Sequence, residues 1–588
     1  MTQSVILAPI FIYFLFKTMT LNRDTVSSEQ LGHLGLVAAT IRELGIIERI
    51  DARLELSERK GGIVSYGRRV AAMVINGLGF MNSRLSMTTH FFQDKPVAQL
   101  LGSEVTAEHL NDDCLGRALD KIAAYGVTKL YSEIAFEIAR EKGILGQRMH
   151  LDTTSFVLHG RYDDYDPVEG APTPAYGYSK ANRPDLKQVM LSLTQGGVAN
   201  IPLWMEPLDG NSSDKTSFHD TVKKVQAFTK NLHSMPEGLC FVVDAAFYSP
   251  EKLAQLDDVH WITRVPAQLK EAKNWLKTSA DEVVWETFDE NYRAALQEKT
   301  IYGIRQRWIL IESKHAQKRE LESFQRRLDK KSDELSRAIW HMENQEFKCP
   351  HDAEKALKPL LKSLKYHRID YQVVPIERHA GKGRPKQGAL KEIVGYQIEA
   401  SLSSCLEKVK LEKETLGRFI LATNQLDTAA LNNHAVLKQY KEQACVESGF
   451  KFIKNNAFEL DSFYLKTPAR IGALMMIMTL CLMVYNFAQY SLRQCLEKHD
   501  EVVPNQVGKP IKNPTIKWIA ELMNMIAVVT IVTQDQRHRI VTNVKKIHQR
   551  IIVYFGPHAL EIYGLPTDLK RVEINHSNYK NLLHWCEM

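Results

Sequence analysis

The hydrophobic pattern of this chain changes at Arg148, and the change limits the fold classes that the chain can adopt. From Ser27 to about Ile144, apolar residues recur every three or four positions and Gly, Asn or Asp divide the pattern, which indicates consecutive helices. From Arg148 the segment MHLDTTSFVLHG alternates and is rich in β-branched and aromatic residues, which indicates a strand. A chain with both patterns is neither all-helical nor all-β.

More strands and helices follow that first strand. The segments LKQVMLSLTQGG and VANIPLWMEPLDGN read as two strands joined at Gly196-Gly197, and a helix begins near Asp214. Cys240 to Val243 is a short buried strand, followed by a helix that starts near Ser249. This order predicts an α/β fold.

Two of these strands carry an aspartate at a position where a negative charge is costly or where active-site residues usually lie. Asp152 lies in a run of apolar and hydroxylated residues, where a carboxylate is costly unless it is paired or binds a cation. Asp244 ends a strand, and α/β sheets usually keep their chemistry at strand ends. Aspartates at strand ends also cap the helices that follow them, so the pair alone leaves both interpretations open.

A third acid lies in the stretch from Tyr440 to Lys454, YKEQACVESGFKFIK. Interpreted as one helix, this stretch puts Tyr440, Gln443, Glu447 and Lys454 on one face. Its apolar residues predict that the helix packs against a core. The alternative is an amphipathic helix with a solvated charged face.

The segment from about Val265 to Leu416 separates the second acid from the third, which lie 203 residues apart. That gap is too long for a simple crossover and predicts an insertion domain with strands and one long charged helix. Within it, Lys382-Gly383-Arg384-Pro385-Lys386 is compact enough for the narrow minor groove of A·T-rich DNA, with an ordinary exposed loop as the alternative.

Size and composition are those of a globular protein with about three or four domains. The net charge of +7 suits a polyanion without requiring one, and eight scattered cysteines without a CxxC pair indicate a reducing compartment, here the cytoplasm. Ser4 to Phe16 is apolar but too short to span a membrane, and residues 1–18 are interpreted as an upstream extension of the reading frame. The apolar run from Ala473 to Ala488 predicts a helix buried in a large core, so no membrane partner is expected.

Three acids in this order, LDTTS, VVDAAF and the Glu447 helix, resemble the insertion-sequence DDE transposases, which have an RNase H-like fold. The resemblance is to the group whose third acid lies in a Tyr-x2-Arg-x3-Glu-x6-Lys signature. Tyr440, Glu447 and Lys454 match this spacing, and Gln443 stands where the signature has Arg. The segments LNDDCLGRALDKI, YGYSKANRPDLKQVMLSL and PLDGNSSD are similar to the same group, so that the resemblance covers about residues 21–490.

The resemblance implies an RNase H-like α/β core with a mixed sheet, interrupted by a large insertion domain. An all-helical N-terminal domain precedes this core, and a helical C-terminal region follows it. The expected divisions are an apolar leader at 1–20, a helical DNA-binding domain at 21–145, core segments at 146–265 and 417–490, the insertion at 266–416 and the C-terminal region at 491–588.

The implied activity is cleavage of the ends of an insertion sequence and joining of their 3′-hydroxyls to target DNA. Asp152, Asp244 and Glu447 are the expected catalytic residues and ligands of two Mg²⁺ ions, with Mn²⁺ as a substitute, because converging carboxylates need cations and hard oxygen ligands suit these metals. Tyr440, Gln443 and Lys454 are expected to contact DNA.

The expected partners are double-stranded DNA, at the terminal inverted repeats and at the target, and a second copy of the chain. The loop with Lys382 and Arg384 is expected to add DNA contacts. Two alternatives stay open: a repurposed or decayed transposase that only binds DNA, and a metal-dependent nuclease without strand transfer.

Overall fold

A computed structural model describes most of the chain, and the described part forms two compact units. The described residues are 26–55, 63–80, 85–160, 162, 169–178, 183–230, 238–256, 259–379, 391–454, 465, 467–532 and 537–566. The first unit holds those up to Trp261 and from Gln439 onward, and the second holds Ile262–Lys438. The predicted leader and the predicted DNA-binding residues Lys382 and Arg384 lie outside the described residues.

The first unit begins with a short strand and a series of helices. These elements are β1 (Val26–Gln30), α1 (Leu34–Glu43), α2 (Ile46–Asp51), α3 (Tyr66–Gly77), α4 (Thr88–Phe92), α5 (Val97–Leu101), α6 (Asp112–Tyr125) and α7 (Val127–Glu141). Polar caps fix helix starts, as where the Asn111 side chain accepts a hydrogen bond from the Cys114 backbone N–H at 2.9 Å. The prediction of an all-helical N-terminal segment is wrong at β1, whose polar sequence gave no strand signal.

Four strands of the first unit belong to a mixed sheet. They are β2 (Arg148–Val157), β3 (Gln188–Gly196), β4 (Ile201–Leu208) and β5 (Cys240–Val243), with α8 (Asp214–Lys230) between β4 and β5 and the short helix α9 (Pro250–Leu253) after β5. Their order is β4-β3-β2-β5, with antiparallel pairs except for the parallel pair of β2 and β5. The hydrophobic pattern predicts these strands and α8 correctly, because alternation and strand length are clear in each of them.

Three helices follow in the C-terminal half of this unit. They are α14 (Asn433–Glu442), of which the last residues belong to this unit, α15 (Ala444–Ile453) and α16 (Pro468–Lys498). Helix α16 packs against α1, α3, α6, α7 and β4. Its best 18-residue window has a mean hydropathy of 2.0 and is 83% buried, so that the protein itself covers a helix long and apolar enough to cross a membrane. The prediction of a buried core helix at Ala473 to Ala488 is confirmed.

The first unit ends in a mixture of strands and helices. These are β13 (Val503–Pro504), β14 (Pro510–Ile511), α17 (Ile516–Met523), β15 (Ala527–Val532), β16 (Arg537–Thr542), α18 (Lys546–Tyr554) and α19 (Gly556–Ile562). Strand β15 pairs with β16 and, on its other side, with β1 from the beginning of the chain. The prediction of a helical C-terminal region is therefore wrong for β15 and β16. These strands are stabilised by pairing of β15 with both β16 and β1.

The second unit contains an antiparallel sheet and a separate long hairpin. The sheet strands are β6 (His260–Arg264, of which the last three residues belong here), β7 (Glu286–Thr287), β8 (Tyr292–Ile301), β9 (Ile304–Ser313) and β12 (Arg418–Thr423), in the order β6-β12-β9-β8-β7. The remaining elements are α10 (Lys270–Leu276), α11 (Lys314–Glu343), α12 (Pro350–Lys362), the hairpin strands β10 (His367–His379) and β11 (Lys391–Ser404), and α13 (Leu406–Thr415). Helices α11 and α12 pack against the hairpin around Phe347, Ala353, Leu357 and Ile398.

A buried arginine fastens the sheet of the second unit. The Arg418 side chain is 1% exposed, and its Nε donates to Glu312 Oε2 at 3.0 Å. Its Nη1 donates to the Thr278 carbonyl at 2.7 Å, and Arg293 Nε donates to the other Glu312 oxygen at 2.7 Å. A buried charge with several hydrogen bonds is costly to break by removing one partner, because the others stay buried.

We expect Arg418→Ala to destabilise the second unit by about 3 kcal/mol. The loss comes from Glu312 and from the Thr278 carbonyl, which lose a donor that water replaces poorly. Urea unfolding followed by tryptophan fluorescence measures it. The control is Arg305→Ala, whose ion pair with Glu298 is exposed and should contribute less than about 1 kcal/mol. Equal effects of the two substitutions would contradict this account.

Candidate active site

The register of β2 and β5 brings Asp152 and Asp244 to neighbouring positions. Leu151 is the parallel partner of Val243; Asp152 is the next residue of β2, and Asp244 directly follows β5. Asp244 keeps an extended backbone, with φ −71° and ψ 180°. Adjacent strands lie about 4.8 Å apart and in-register side chains of a parallel pair point to the same face. Both carboxylates therefore lie side by side on one face of the sheet, as the sequence analysis expects of a functional pair.

Each of these carboxylates is partly buried and already holds one backbone N–H. Asp152 Oδ1 accepts a hydrogen bond from the Thr153 N–H at 2.7 Å. Asp244 Oδ1 accepts one from the Ala246 N–H at 2.8 Å, so that this aspartate also caps the short turn after β5. The capping role and the site role thus coexist, since a carboxylate has two oxygens and about four acceptor positions.

Burial shifts the pKa of three titratable side chains on β2, β5 and α15. Burial, and next the charge of Arg148, lowers the pKa of His150 to about 4, so that this imidazole is neutral at pH 7. Burial raises the pKa of the Cys240 thiol and of the Cys445 thiol to about 12. Both thiols stay protonated at neutral pH and are poor metal ligands. The oxygens of Asp152, Asp244 and Glu447 are hard carboxylate donors, which fit Mg²⁺ or Mn²⁺.

The stretch from Tyr440 to Lys454 is two helices and not one. Helix α14 ends at Glu442 and α15 begins at Ala444, with Gln443 between them. At the junction the Gln443 N–H donates to the Tyr440 carbonyl at 3.2 Å and the Val446 N–H donates to the Gln443 carbonyl at 3.1 Å. Both hydrogen bonds join residues three apart, as in a 3₁₀ turn, and not four apart as in an α-helix. Tyr440 therefore belongs to the first helix and Glu447 to the second. The prediction that all signature residues share one helix is wrong.

Helix α15 covers the sheet face that carries the two aspartates. Every second residue of β2 points to the same face of the sheet. The residues on the face of Asp152 include His150, Thr154 and Phe156. Lys454, at the end of α15, holds its Nζ 5.4 Å from the centre of the Phe156 ring. Helix α15 also packs against β3. The third acid therefore lies on a helix that packs against β2, the strand of the first acid, and against β3.

Glu447 lies on one flank of α15 and is exposed. Its neighbour Gly449 faces β3, where a Cβ atom would lie 2.3 Å from Gln195 Nε2. Residues two apart on a helix point about 160° apart. Glu447 therefore lies on the side of the helix away from β3, where it is exposed.

The three acids do not close a metal site by themselves. Within the described ranges, no group of three or more His, Cys, Asp or Glu side chains is placed to hold a metal ion. The structure brings Asp152 and Asp244 together and leaves the Glu447 side chain apart from them. Three converging carboxylates repel one another unless a cation neutralises them. The three carboxylates fit the donor chemistry of a cation site, and Glu447 is not held at the pair by protein contacts among the described residues.

The other predicted signature residues differ in their access to a ligand. Lys454 is exposed, Tyr440 is partly exposed and Gln443 is buried, at 9% exposure. The sequence analysis missed Arg148 at the start of β2. With the Gln439 amide oxygen turned toward it, Arg148 donates to that oxygen from Nε at 3.0 Å and from Nη2 at 3.1 Å.

A second missed feature lies under α15, where Gly449 contacts Gln195. Both are buried, and Gln195 is the cross-strand partner of His150. A glycine inside a helix lowers the stability of that helix by about 1 kcal/mol relative to alanine. This unfavourable residue was the signal in the sequence that could have indicated the contact.

Comparison with known families decides the class of this site. A sequence profile described as a transposase DDE domain matches residues 149–484, which is more than half of the 588 residues. The chain belongs to the transposase DDE domain family. The matched region of this transposase contains Asp152, Asp244 and Glu447, and the resemblance stated from the sequence is confirmed at the level of the family.

The other comparisons concern the N-terminal region, curated protein sequences and solved structures. A domain of unknown function matches residues 26–136 of the transposase. No curated protein sequence matches the chain. One similar solved structure is the piggyBac transposase in a synaptic complex with hairpin DNA, determined by cryo-EM. It shares 12% sequence identity and a TM-score of 0.35, over 84% of this chain and 79% of that chain.

Proposed function

We propose that this transposase cleaves DNA at the ends of an insertion sequence and joins the freed 3′-hydroxyls to target DNA. The observation that carries the proposal is the in-register placement of Asp152 and Asp244 on one sheet face, together with the packing of the helix that bears Glu447 against β2 and β3. Three antiparallel strands, a helical crossover and a parallel strand beside the first strand support an RNase H-like core.

In this proposal Asp152, Asp244 and Glu447 hold two Mg²⁺ ions. The carboxylate oxygens of these three residues would be the ligands that hold the ions. When bound, the ions supply activation of the attacking oxygen and stabilisation of the leaving oxygen in an in-line phosphoryl displacement. The flexible Glu447 side chain would join the rigid aspartate pair on cation binding, because the cation removes the repulsion among the three carboxylates.

The protein side chains position the DNA in the proposed reaction. Lys454 lies at the end of the covering helix and is suited to neutralise a phosphate as a point charge. Tyr440 would orient the same strand. Gln443 is the weaker proposal, since it is buried and lacks the charge of the arginine found in the signature.

Further DNA contacts are proposed outside the core. The strands β10 and β11 are paired out to His379 and Lys391, and the segment that joins these ends carries Lys382 and Arg384. We keep the proposal that this segment contacts the minor groove or the backbone. The roles of the N-terminal helices in recognising inverted repeats, and of a dimer in joining two ends, also stay predictions.

We expect the double substitution Lys382→Ala and Arg384→Ala to weaken binding to A·T-rich DNA. Loss of two phosphate contacts should reduce the slope of log K against log salt by about 2, because each contact releases about one counterion. Fluorescence anisotropy over a salt series measures the slope. The control is Lys355→Ala with Lys358→Ala, two exposed lysines on α12 of the same unit. An unchanged slope in the first variant would remove this segment from the DNA interface.

The test of the reaction itself uses end-labelled DNA that carries the element's terminal repeats and purified protein with Mg²⁺ or Mn²⁺. Transposition predicts metal-dependent nicks at the ends and joined products with target DNA. Nicks without joined products would identify a nuclease. Specific binding without any cleavage would identify a repurposed DNA-binding protein, the alternative that Gln443 favours.

A further inference from the structure

We propose that the contact between Gly449 and Gln195 sets the depth of α15 on the sheet and thereby sets the position of Glu447 relative to the two aspartates. Gly449 and Gln195 are positioning residues in this proposal, since they act through Glu447. The inference rests on the proposed function, in which Glu447 completes the metal site.

Helix α15 lies unusually close to β3 at Gly449. Gly449 is buried in the middle of α15, and a Cβ atom there would lie 2.3 Å from Gln195 Nε2 and 3.0 Å from Leu482 Cδ2. Real Cβ atoms do not approach other heavy atoms to 2.3 Å, so any larger residue must move either the glutamine or the helix. Glycine therefore permits a separation between α15 and β3 that no other residue allows.

The second step is the unusual chemistry beneath the glycine. Gln195 is fully buried, and neither its amide nitrogen nor its amide oxygen has a hydrogen-bond partner among the described residues. Its cross-strand partner His150 is 3% exposed, and its Nδ1 likewise has no partner in that part of the chain. Unpaired buried polar groups each cost about 1–3 kcal/mol. Folding alone would favour an apolar residue at position 195, so this arrangement indicates a role other than stability.

The third step links this contact to the acids. His150 lies two residues before Asp152 on the same face of β2, so the contact of Gln195 with α15 lies beside the carboxylate pair. Glu447 and Gly449 occupy opposite sides of α15. If the β3 side of the helix is lifted, the helix rotates or shifts and the position of Glu447 relative to Asp244 changes. Displacements of about 1 Å in an active site cost about a hundredfold in rate.

The experiment uses the full-length protein and Gly449→Ala. Alanine should stabilise an ordinary helix interior by about 1 kcal/mol, so a loss of activity here would not follow from helix propensity. We expect the Mn²⁺ concentration for half-maximal end cleavage to rise about tenfold, and the maximal rate to fall about tenfold to a hundredfold. Binding of end DNA without metal should not change.

The compensating variant is Gly449→Ala with Gln195→Ala, which removes the atoms that the new Cβ would meet. We expect it to restore the Mn²⁺ dependence to within about threefold of wild type, since the helix can return to its depth. Ser448→Ala is the matched control, because Ser448 is the exposed neighbour on the same helix. If Gly449→Ala does not fold, recovery of both folding and Mn²⁺ dependence in the double variant supports the contact.

Two results would overturn the inference. One is an unchanged Mn²⁺ dependence in Gly449→Ala, and the other is a double variant no better than Gly449→Ala alone. Failure of the proposed function gives a different pattern, in which Asp152→Asn and Asp244→Asn leave end cleavage intact. The two failures are therefore distinguishable in one set of assays.

Discussion

Asp152→Asn and Asp244→Asn are each expected to reduce end cleavage and strand transfer by about a thousandfold or more, equivalent to about 4 kcal/mol of transition-state stabilisation. Asparagine keeps the size of the side chain and the oxygen that accepts the Thr153 or Ala246 N–H. It removes the negative charge that a divalent cation needs. Folding and metal-independent DNA binding should therefore persist, measured by thermal unfolding and anisotropy beside the cleavage assay.

The matched control for these substitutions is Asp209→Asn. Asp209 follows β4 and accepts a hydrogen bond from the Thr173 N–H at 2.7 Å, so it resembles Asp244 in its local role. It is not an in-register neighbour of Asp152. We expect its activity to stay within about threefold of wild type. Full strand transfer by either site variant would exclude that aspartate from the chemistry.

Glu447→Gln is expected to produce a loss of similar size, about a thousandfold. Glu447 is exposed and belongs to no group of three or more acids or other metal-binding side chains among the described residues, so an effect on folding is not expected. A large loss of activity would then come from the missing metal ligand. Single-turnover cleavage at saturating DNA separates this loss from a loss of binding.

Glu442→Gln provides the control from the same stretch of sequence. Glu442 is five residues before Glu447, is partly exposed, and its carboxylate lies 3.7 Å from an Arg148 nitrogen. This exposed ion pair is weak, and its loss should change activity by less than about threefold. If the two glutamine variants behave alike, Glu447 has no special role and the third ligand must be sought elsewhere.

The sequence alone predicted the elements that carry the site better than the contacts between them. Strands β2 to β5 were predicted because alternation and turn residues are local signals. The pairing of β2 with β5 in register could not be predicted, since it depends on which strands meet after α8 crosses over. The sequence therefore offered Asp152 and Asp244 as a pair, and only the register places them side by side.

Three further differences between the predicted and the observed elements have separate physical reasons. The break at Gln443 was missed because Gln is an adequate helix former and nothing in the residues around it signals an end. Strand β1 was missed because VSSEQ is polar and is stabilised by β15, about 500 residues away in the chain. The long hairpin of β10 and β11 was missed because most of its residues are exposed on both faces and show no clear alternation.

The most direct test of the central claim is a count of bound Mn²⁺ by electron paramagnetic resonance in the complex of the transposase with end DNA. If Asp152, Asp244 and Glu447 are the ligands, the wild type binds two Mn²⁺ per active site, and the triple variant with Asn, Asn and Gln at these positions binds neither at the same concentrations. Retention of both ions by the triple variant would contradict the assignment of these three carboxylates as the metal site.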